Sequence, residues 1–421
     1  MYRKTTFDNG LRVVTVAMPH TRSVAMGIFT GVGSRYEDEL ERGISHFVEH
    51  MLFKGTQRRP QAKEIAEAIE GLGGIMNAST GNEVTTYWAK VAHPHLPLAL
   101  DVLVDIFRNS LFDRDELERE RQVIIQEISR MMDMPDSWVH VLIQQLIWPQ
   151  HPVGWEIAGT KESVSGITRQ TMLDYVQSTY TPHSTVISLA GNLDHDAVLE
   201  QLRSEFQSWQ QQRMRTYLPA VDAPPGPHFD VEFRETEQAH LCVGLRGLPL
   251  DHPDRFGLRI LNTILGEGMS SRLFLEIREK RGLAYSVGSY TSYLRDTGAM
   301  VLFAGVPPAK AEDVVSAMME QLSMLCDETV PQSELTKAKE FTKGRLLLRM
   351  EDSFANAQWF GQQEVLDQKV LEVDQVIAAI DAVQAADVQR LARQLFSAEQ
   401  LSLAAVGPFA NQEAFSARLT L

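Results

Sequence analysis

Two histidines and a glutamate stand close together in the segment His46-Phe47-Val48-Glu49-His50. On an α-helix, residues four apart share one face, so the imidazoles of His46 and His50 can converge on one metal ion. Glu49 lies on nearly the same face, where it can exchange a proton with a water molecule. A helix is indicated by apolar residues at helical spacing and by a glycine that ends the pattern: Ile44, Phe47, Val48, Met51, Leu52 and Gly55. The alternative is a pair of hydrogen-bonded histidines on a partly buried helix.

A zinc site needs a third protein ligand and an open position for water. Glu120 and Glu127 are two helical turns apart in a later amphipathic segment and share one helix face. A ligand role is favoured for Glu127, because an unpaired acid beside Ile124 and Ile128 would be costly. Glu120 stands in a run dense in charge, residues 116–121, so intrahelical ion pairs on a solvated face are the alternative for it.

Strands and helices in the first half of the chain would position these residues. Strands are predicted at residues 10–16, 23–30 and 75–91, where β-branched or apolar runs lie between turn residues. Helices are predicted from the apolar period at residues 43–53, 62–72, 97–109 and 113–132. This order is typical of an α+β fold, in which helices are grouped on a sheet.

The chain divides at a linker, and its two parts repeat one another. Prolines crowd residues 214–227, where neither a helix nor a central strand can continue. Residues 1–213 are therefore predicted to form an N-terminal half and residues 228–421 a C-terminal half of similar fold. The helix–strand–glycine order that ends at Gly191 recurs at Gly407, and 407 − 191 gives an offset of 216 residues. The sequence thus predicts a duplicated α/β unit.

Composition limits the class of protein. The 421 residues include 55 acidic and 40 basic side chains, a formal charge of −15, which argues against a nucleic-acid surface. The acidic balance is compatible with basic peptides as partners, or simply with a solvated surface. No apolar run reaches the length of a membrane span and no apolar leader precedes the first strand, so we expect a soluble cytoplasmic protein.

Several segments match the sequence blocks of one known family. They are Gly33-Ser34-Arg35 and residues 43–56, 73–78, 118–127 and 271–285. Together they resemble the pitrilysin, or inverzincin, family of zinc metallopeptidases, whose His-x-x-Glu-His motif inverts the order found in ordinary zincins. That family includes the mitochondrial processing peptidase, to whose short-chain type this sequence is similar, and insulin-degrading enzyme. The resemblance covers almost the whole chain.

The resemblance implies a role for each residue of the metal-binding segments. Zinc, one ion per chain, would be held by His46, His50 and Glu127. Glu49 would be the general base of a metalloendopeptidase, taking a proton from the attacking water and passing it to the leaving amine. Glu120 would support the site by orienting a ligand histidine.

Further roles are implied outside the metal-binding segments. Arg278 and Tyr285 match the pair that reaches from the second half to the substrate carbonyl, where they would stabilise the developing oxyanion. Without the family, a helix-end ion pair and a core tyrosine would be the preferred interpretation. Residues 74–87, with Asn77 and Ala78, resemble the family's substrate strand, an exposed edge whose main chain pairs with the peptide.

The second half does not repeat the metal-binding residues. At the positions that correspond to His46, Glu49, Glu120 and Glu127, it has Asn262, Leu265, Ala338 and Arg345. Zinc is therefore predicted in the N-terminal half alone, and the C-terminal half is predicted to supply residues that contact the substrate.

Family members of this length pair with a second chain into a four-unit clamshell around a closed chamber. The resemblance thus implies a homodimer, or a heterodimer with a homologous subunit, that cleaves peptides or unfolded segments; neither nucleic acid nor a membrane is expected as a partner. One alternative is a non-catalytic assembly subunit, like the respiratory core proteins of this fold, and the retained ligands argue against it. Another is a zinc-binding protein without hydrolysis, in which Glu49 and Tyr285 would have no role.

Overall fold

A computed structural model describes residues 2–210, 215–221 and 226–421 of the chain. Parts of the predicted linker, residues 214 and 222–225, lie outside the described residues. The strands are β1 Tyr2–Thr6, β2 Arg12–Ala17, β3 Ser23–Thr30, β4 Ile75–Thr80, β5 Thr85–Ala92, β6 Thr185–Gly191, β7 His228–Phe233, β8 Ala239–Arg246, β9 Ser286–Tyr293, β10 Gly298–Val306 and β11 Ser402–Gly407.

The first helices along the chain are α1 Ile44–Leu52, α2 Ala62–Glu70, α3 Leu96–Asn109, α4 Arg114–Asp133, α5 Pro135–Ile147, α6 Lys161–Gly166, α7 Arg169–Thr179 and α8 His195–Phe206. The later helices are α9 Arg255–Gly266, α10 Ala311–Asp327, α11 Gln332–Arg349, α12 Ser353–Leu366, α13 Val373–Ala382, α14 Ala385–Leu395 and α15 Glu413–Ser416. A π-helix spans Phe274–Lys280.

The chain forms two compact units, each built around one sheet. The first contains Met1–Ile128, Glu156–Leu218 and Leu347–Glu372, and the second contains Ser129–Trp155, Pro219–Leu346 and Val373–Leu421. Each unit thus takes one segment from the other half of the sequence. The duplicated strands and helices follow one another in the order of the two sequence halves. Each compact unit, however, contains segments from both halves.

The sheet of the first unit has the strand order β1-β2-β6-β3-β5-β4. The pair β2–β6 is parallel, and the pairs around β3 and β5 are antiparallel. The strand structure predicted over residues 75–91 is two strands, β4 and β5, which form a hairpin. The turn begins at Gly81, whose amide donates a hydrogen bond to the Val84 carbonyl at 2.9 Å. The dipeptide Gly81-Asn82 favours such a tight reversal of the main chain.

The sheet of the second unit has the order β7-β11-β8-β10-β9, which repeats the order from β2 to β4 in the first sheet. Here too the first pair, β7–β11, is parallel, and the following pairs are antiparallel. The duplication predicted from the sequence offset is thus present in strand order and strand direction, and the predicted α+β fold of two similar halves is confirmed.

The exchanged segments each carry a helix that covers one sheet face. In the first unit, Phe360 and Ala357 of α12 pack with Phe29, Val186 and other residues of the first sheet. In the second unit, α5 buries apolar residues against the second sheet, and they are Val139, Leu142, Ile143 and Ile147. Each of these helices packs on the sheet of its unit because an amphipathic helix can bury its apolar face only against another element.

The opposite face of the first sheet carries the larger core, which α1, α3 and α7 share with β3 and β5. Among the described residues, no helix combines the length and the apolar composition required to cross a bilayer.

Candidate metal centre

The helix α1 presents two histidines on one face, as the sequence predicts. The Nε2 atoms of His46 and His50 lie 3.2 Å apart. The opposite face of α1 is apolar and buried, with Phe47, Val48 and Met51 fully inaccessible to solvent. Burial of that face fixes the rotation of the helix and therefore the direction of both imidazoles.

Glu127 reaches the same point from α4. Its Oε2 atom lies 3.9 Å from His46 Nε2 and 3.6 Å from His50 Nε2. A tetrahedral zinc ion with bonds of about 2.0–2.1 Å holds its ligand atoms about 3.3–3.4 Å apart. The three side chains thus fit a zinc ion closely. Among the described residues, they are the only group of three or more His, Cys, Asp or Glu side chains with ligand atoms that converge within 4.8 Å.

The protonation of His46 also suits a metal. Burial, with the nearby charge of His50, lowers the pKa of His46 to about 4, so the imidazole is neutral at pH 7, as a metal ligand must be. Burial also lowers the pKa of His50, but the hydrogen bond that His50 donates to Glu120 and the charges of Glu127 and Glu49 outweigh it and leave the pKa raised. Within the part of the chain that is described, His46 Nδ1 is buried and has no hydrogen-bond partner.

Glu120 lies behind His50 rather than on a solvated face. Its Oε2 atom is 3.0 Å from His50 Nδ1, and its Oε1 atom is 2.7 Å from Lys54 Nζ. Burial raises the pKa of Glu120, but its bonds to His50 and Lys54 outweigh burial and leave the pKa lowered. An ionised Glu120 selects the tautomer of His50 in which Nδ1 carries the proton and Nε2 faces the metal.

Glu49 lies beside the three ligands and contacts the end of β4. The Thr80 hydroxyl donates a short hydrogen bond to Glu49 Oε2. Burial raises the pKa of Glu49, and the charge of Glu127 adds to this, whereas the Thr80 bond and His50 oppose it. A carboxylate with a raised pKa is a stronger base, which suits a group that takes a proton from water.

The strand β4 is an edge of the first sheet. Asn77 and Ala78 lie in its middle, in register with Trp88 and Tyr87 of β5. Exposed and half-buried residues alternate along β4, from the exposed Ile75 onward. An edge strand that ends at Thr80, beside Glu49, can add an extended peptide by main-chain pairing.

Arg278 and Tyr285 belong to the second unit. Arg278 lies in the π-helix, and its guanidinium carbon is 5.2 Å from the centre of the Tyr285 ring. Tyr285 is 73% exposed, so the alternative of a core tyrosine is wrong. The nearest carboxylate oxygen of Glu279 is 3.9 Å from Arg278, too far for a good hydrogen bond.

Sequence reasoning missed two polar contacts of the metal centre. Lys54 follows His50 by one helical turn, so its spacing is a signal that could have placed it near the site. Thr80 is 31 residues from Glu49, and no local pattern marks the contact between them.

Comparisons with known proteins agree with this geometry. The family model "Insulinase (Peptidase family M16)" matches residues 12–161, and "Peptidase M16 inactive domain" matches residues 166–341. A Bacillus subtilis protein named as a zinc protease is 39% identical over 98% of this chain and 99% of its own length. A Streptomyces coelicolor protein, also named as a zinc protease, is 36% identical over 98% of this chain and 91% of its own. The names of these relatives agree with zinc as the ion for the three ligands.

Solved structures share the fold. A protease from Helicobacter pylori matches with a TM-score of 0.91 and 24% identity, over 97% of this chain and 99% of that one. A chain of complex III2 from Candida albicans matches with a TM-score of 0.84 and 19% identity, over 99% of this chain and 98% of that one. At these identities the likeness concerns the fold alone.

If Glu120 orients His50, Glu120→Gln should lower the affinity for zinc about 10–100-fold, because an amide does not hold the imidazole proton as a carboxylate does. Competition with a chromophoric zinc chelator measures this affinity. Asp115→Asn is the matched control, since Asp115 is an exposed acid of the same helix. A zinc affinity of the Glu120 variant within about twofold of wild type would contradict the assignment.

Proposed function

The chain belongs to peptidase family M16, whose members include proteins named as zinc proteases, and from this premise we propose that it is a zinc-dependent endopeptidase of peptides or unfolded segments. One observation carries the proposal. The ligand atoms of His46, His50 and Glu127 converge beside Glu49, whose carboxylate is bonded to Thr80 at the end of an edge strand. A metal-ligand set, a general base and a peptide-binding edge are the parts that hydrolysis of an extended peptide requires.

When bound, a zinc ion makes water more acidic and polarises a carbonyl group. Glu49 supplies the acid–base chemistry. Thr80 donates its hydrogen bond to Oε2 of Glu49, and Oε1 is proposed to accept the proton from water. Glu49 then passes this proton to the nitrogen of the leaving amine.

The substrate is proposed to extend β4 as an additional antiparallel or parallel strand. Main-chain groups of Asn77 and Ala78 would pair with it, so recognition would depend on an extended main chain more than on side chains. The protein is therefore expected to cleave peptides of many different sequences. The requirement for an extended segment favours peptides and unfolded chains over folded proteins.

Replacement of Glu49 by glutamine should leave zinc affinity unchanged and lower kcat/KM for peptide cleavage about 10²–10⁴-fold, because the amide cannot accept the proton. Cleavage of a fluorogenic peptide library, with zinc content measured in parallel, tests this. Glu67→Gln is the matched control, on an exposed side chain of α2. Full activity of the Glu49 variant would refute the assignment of the base.

The pair Arg278 and Tyr285 is proposed to stabilise the oxyanion of the substrate. The exposed hydroxyl of Tyr285 and the neighbouring guanidinium are both hydrogen-bond donors. Tyr285→Phe removes one donor, so we expect kcat to fall about 10²-fold with zinc affinity unchanged. Tyr290→Phe is the control in the same unit, since the Tyr290 hydroxyl lies 2.9 Å from His140 Nδ1. Equal kcat values for both variants would remove Tyr285 from the mechanism.

The closed chamber of four units is proposed from the family resemblance and from the chain's length, which matches the curated relatives nearly end to end. The protein would act as a homodimer, or as a heterodimer with a homologous subunit. Light scattering coupled to gel filtration should give a particle of twice 47.3 kDa when the chain is expressed alone and pairs with itself. A fully active particle of 47.3 kDa would contradict the chamber.

A non-catalytic assembly subunit is the second candidate function. The match to a chain of complex III2 concerns the fold alone. The convergence of His46, His50 and Glu127 favours the peptidase, because a purely structural subunit has no use for three ligands at zinc-binding distances.

A further inference from the structure

A buried carboxylate outside the metal centre touches the start of α1. Glu37 is 3% exposed. The amide of Gly43 donates a hydrogen bond to its Oε2 atom at 2.8 Å, and the amide of Ser45 donates one to its Oε1 atom at 2.8 Å. These amides belong to the N-cap position and to the second residue of the helix.

The sequence of α1 explains why a distant carboxylate is needed there. The first amides of a helix have no intrahelical partner, and a polar side chain at the N-cap usually accepts from one of them. Gly43 at the N-cap has no side chain and a φ of +90°. A Cβ at this position would lie 2.4 Å from the Ala158 carbonyl oxygen. Glu37 therefore takes the place of the missing cap.

The turn that Glu37 holds carries a zinc ligand. His46 is the third residue of α1, next to Ser45, whose amide is bonded to Glu37. The Ser45 hydroxyl also lies 2.7 Å from the hydroxyl of Tyr175 on α7, which is fully buried. A loss of either amide bond would loosen the turn on which the His46 imidazole is mounted.

The number of bonds that Glu37 can accept depends on its ionisation. A carboxylate accepts hydrogen bonds at both oxygens. In a carboxylic acid one oxygen carries a proton, and that oxygen accepts a hydrogen bond from an amide less well. Burial raises the pKa of Glu37 to about 7, and the charge of Glu41 adds to it, whereas the bonds from Ser45 and Gly43 oppose it. Among the described residues, Arg42 and Tyr175 interact electrostatically with Glu37, and Arg215 lies beside Tyr175.

We propose that the Glu37 carboxylate is a positioning residue for the zinc ligand His46, and that protonation of Glu37 weakens zinc binding as the pH falls below neutrality. The alternative is a purely structural cap, which would support the fold equally at all pH values. The proposal rests on the zinc site of the proposed function but not on peptide cleavage.

The test compares the zinc affinities of wild type, Glu37→Gln and Glu39→Gln at pH 8 and pH 6, by competition with a chelator. At pH 8 the Glu37 variant should bind zinc about tenfold more weakly than wild type, because the amide accepts at one oxygen only. At pH 6 the difference should shrink to about twofold or less, because wild-type Glu37 is then mostly protonated. Glu39→Gln removes the same charge from an exposed residue and should follow wild type at both pH values.

Equal affinities of wild type and Glu37→Gln at pH 8 would overturn the proposal, and so would an equal deficit at both pH values. If the Glu37→Gln variant does not fold, a titration of the wild-type protein tests the proposal instead. The methyl resonance of buried Ile44, assigned by its loss in Ile44→Val, should titrate with a midpoint near pH 7 in zinc-free protein. In zinc-loaded protein the midpoint should fall by about one pH unit, because an about tenfold stronger binding of zinc to ionised Glu37 requires an equal preference of the zinc-bound protein for ionised Glu37. A resonance unchanged between pH 6 and pH 8 would overturn the proposal. A protein that binds zinc as described here but cleaves no peptide would refute the proposed function alone.

Discussion

The metal centre depends on the burial of one face of one short helix. Ile44, Phe47, Val48 and Met51 of α1 are fully inaccessible, and each such side chain contributes about 1.5–3 kcal/mol through its burial. A rotation of α1 by one residue, about 100°, would expose these side chains and bury charged ones. The apolar contacts thus fix the direction of the metal-binding face. Zinc ligands can be held in place in this way before any metal arrives.

Two buried carboxylates near that helix, Glu120 and Glu83, are stabilised by basic partners. Glu120 is held between His50 and Lys54. Arg35 and Glu83, with side chains 0% and 3% exposed, form an ion pair of 2.5 Å. Glu83 lies in the turn between β4 and β5, so this pair holds the turn that follows Thr80. Removal of one member of such a pair leaves an uncompensated buried charge and costs about 3–5 kcal/mol.

Local periodicity predicted the parts of the site that depend on one helix at a time. The spacing of His46 and His50 is sufficient to propose the histidine ligands. The apolar neighbours of Glu127 predict a buried acid, whereas its side chain is 45% exposed and the buried acid of α4 is Glu120. The sequence pattern over residues 75–91 does not show the turn at Gly81, because both arms of the hairpin are rich in strand-forming residues. The contacts of Glu49 with Thr80 and of Gly43 with Glu37 were missed, because they join segments whose approach is set by tertiary packing. An amphipathic pattern likewise shows that α5 and α12 bury an apolar face, but it does not show which sheet each helix covers.

The sheet of the second unit repeats the strand order from β2 to β4 of the first sheet, yet packing makes the equivalent helices of the two units unequal. In the second unit, α9 contacts β9, α13 and α14, and the residues from Ile260 to its end are all buried. Asn262, at the position that corresponds to His46, is hydrogen-bonded to the Ser289 hydroxyl at 2.8 Å. A helix covered on several sides has no open face where an ion could keep a position for water, and charged ligands there would be desolvated without compensation. The duplicated unit can therefore carry the zinc chemistry only where α1 leaves one face free.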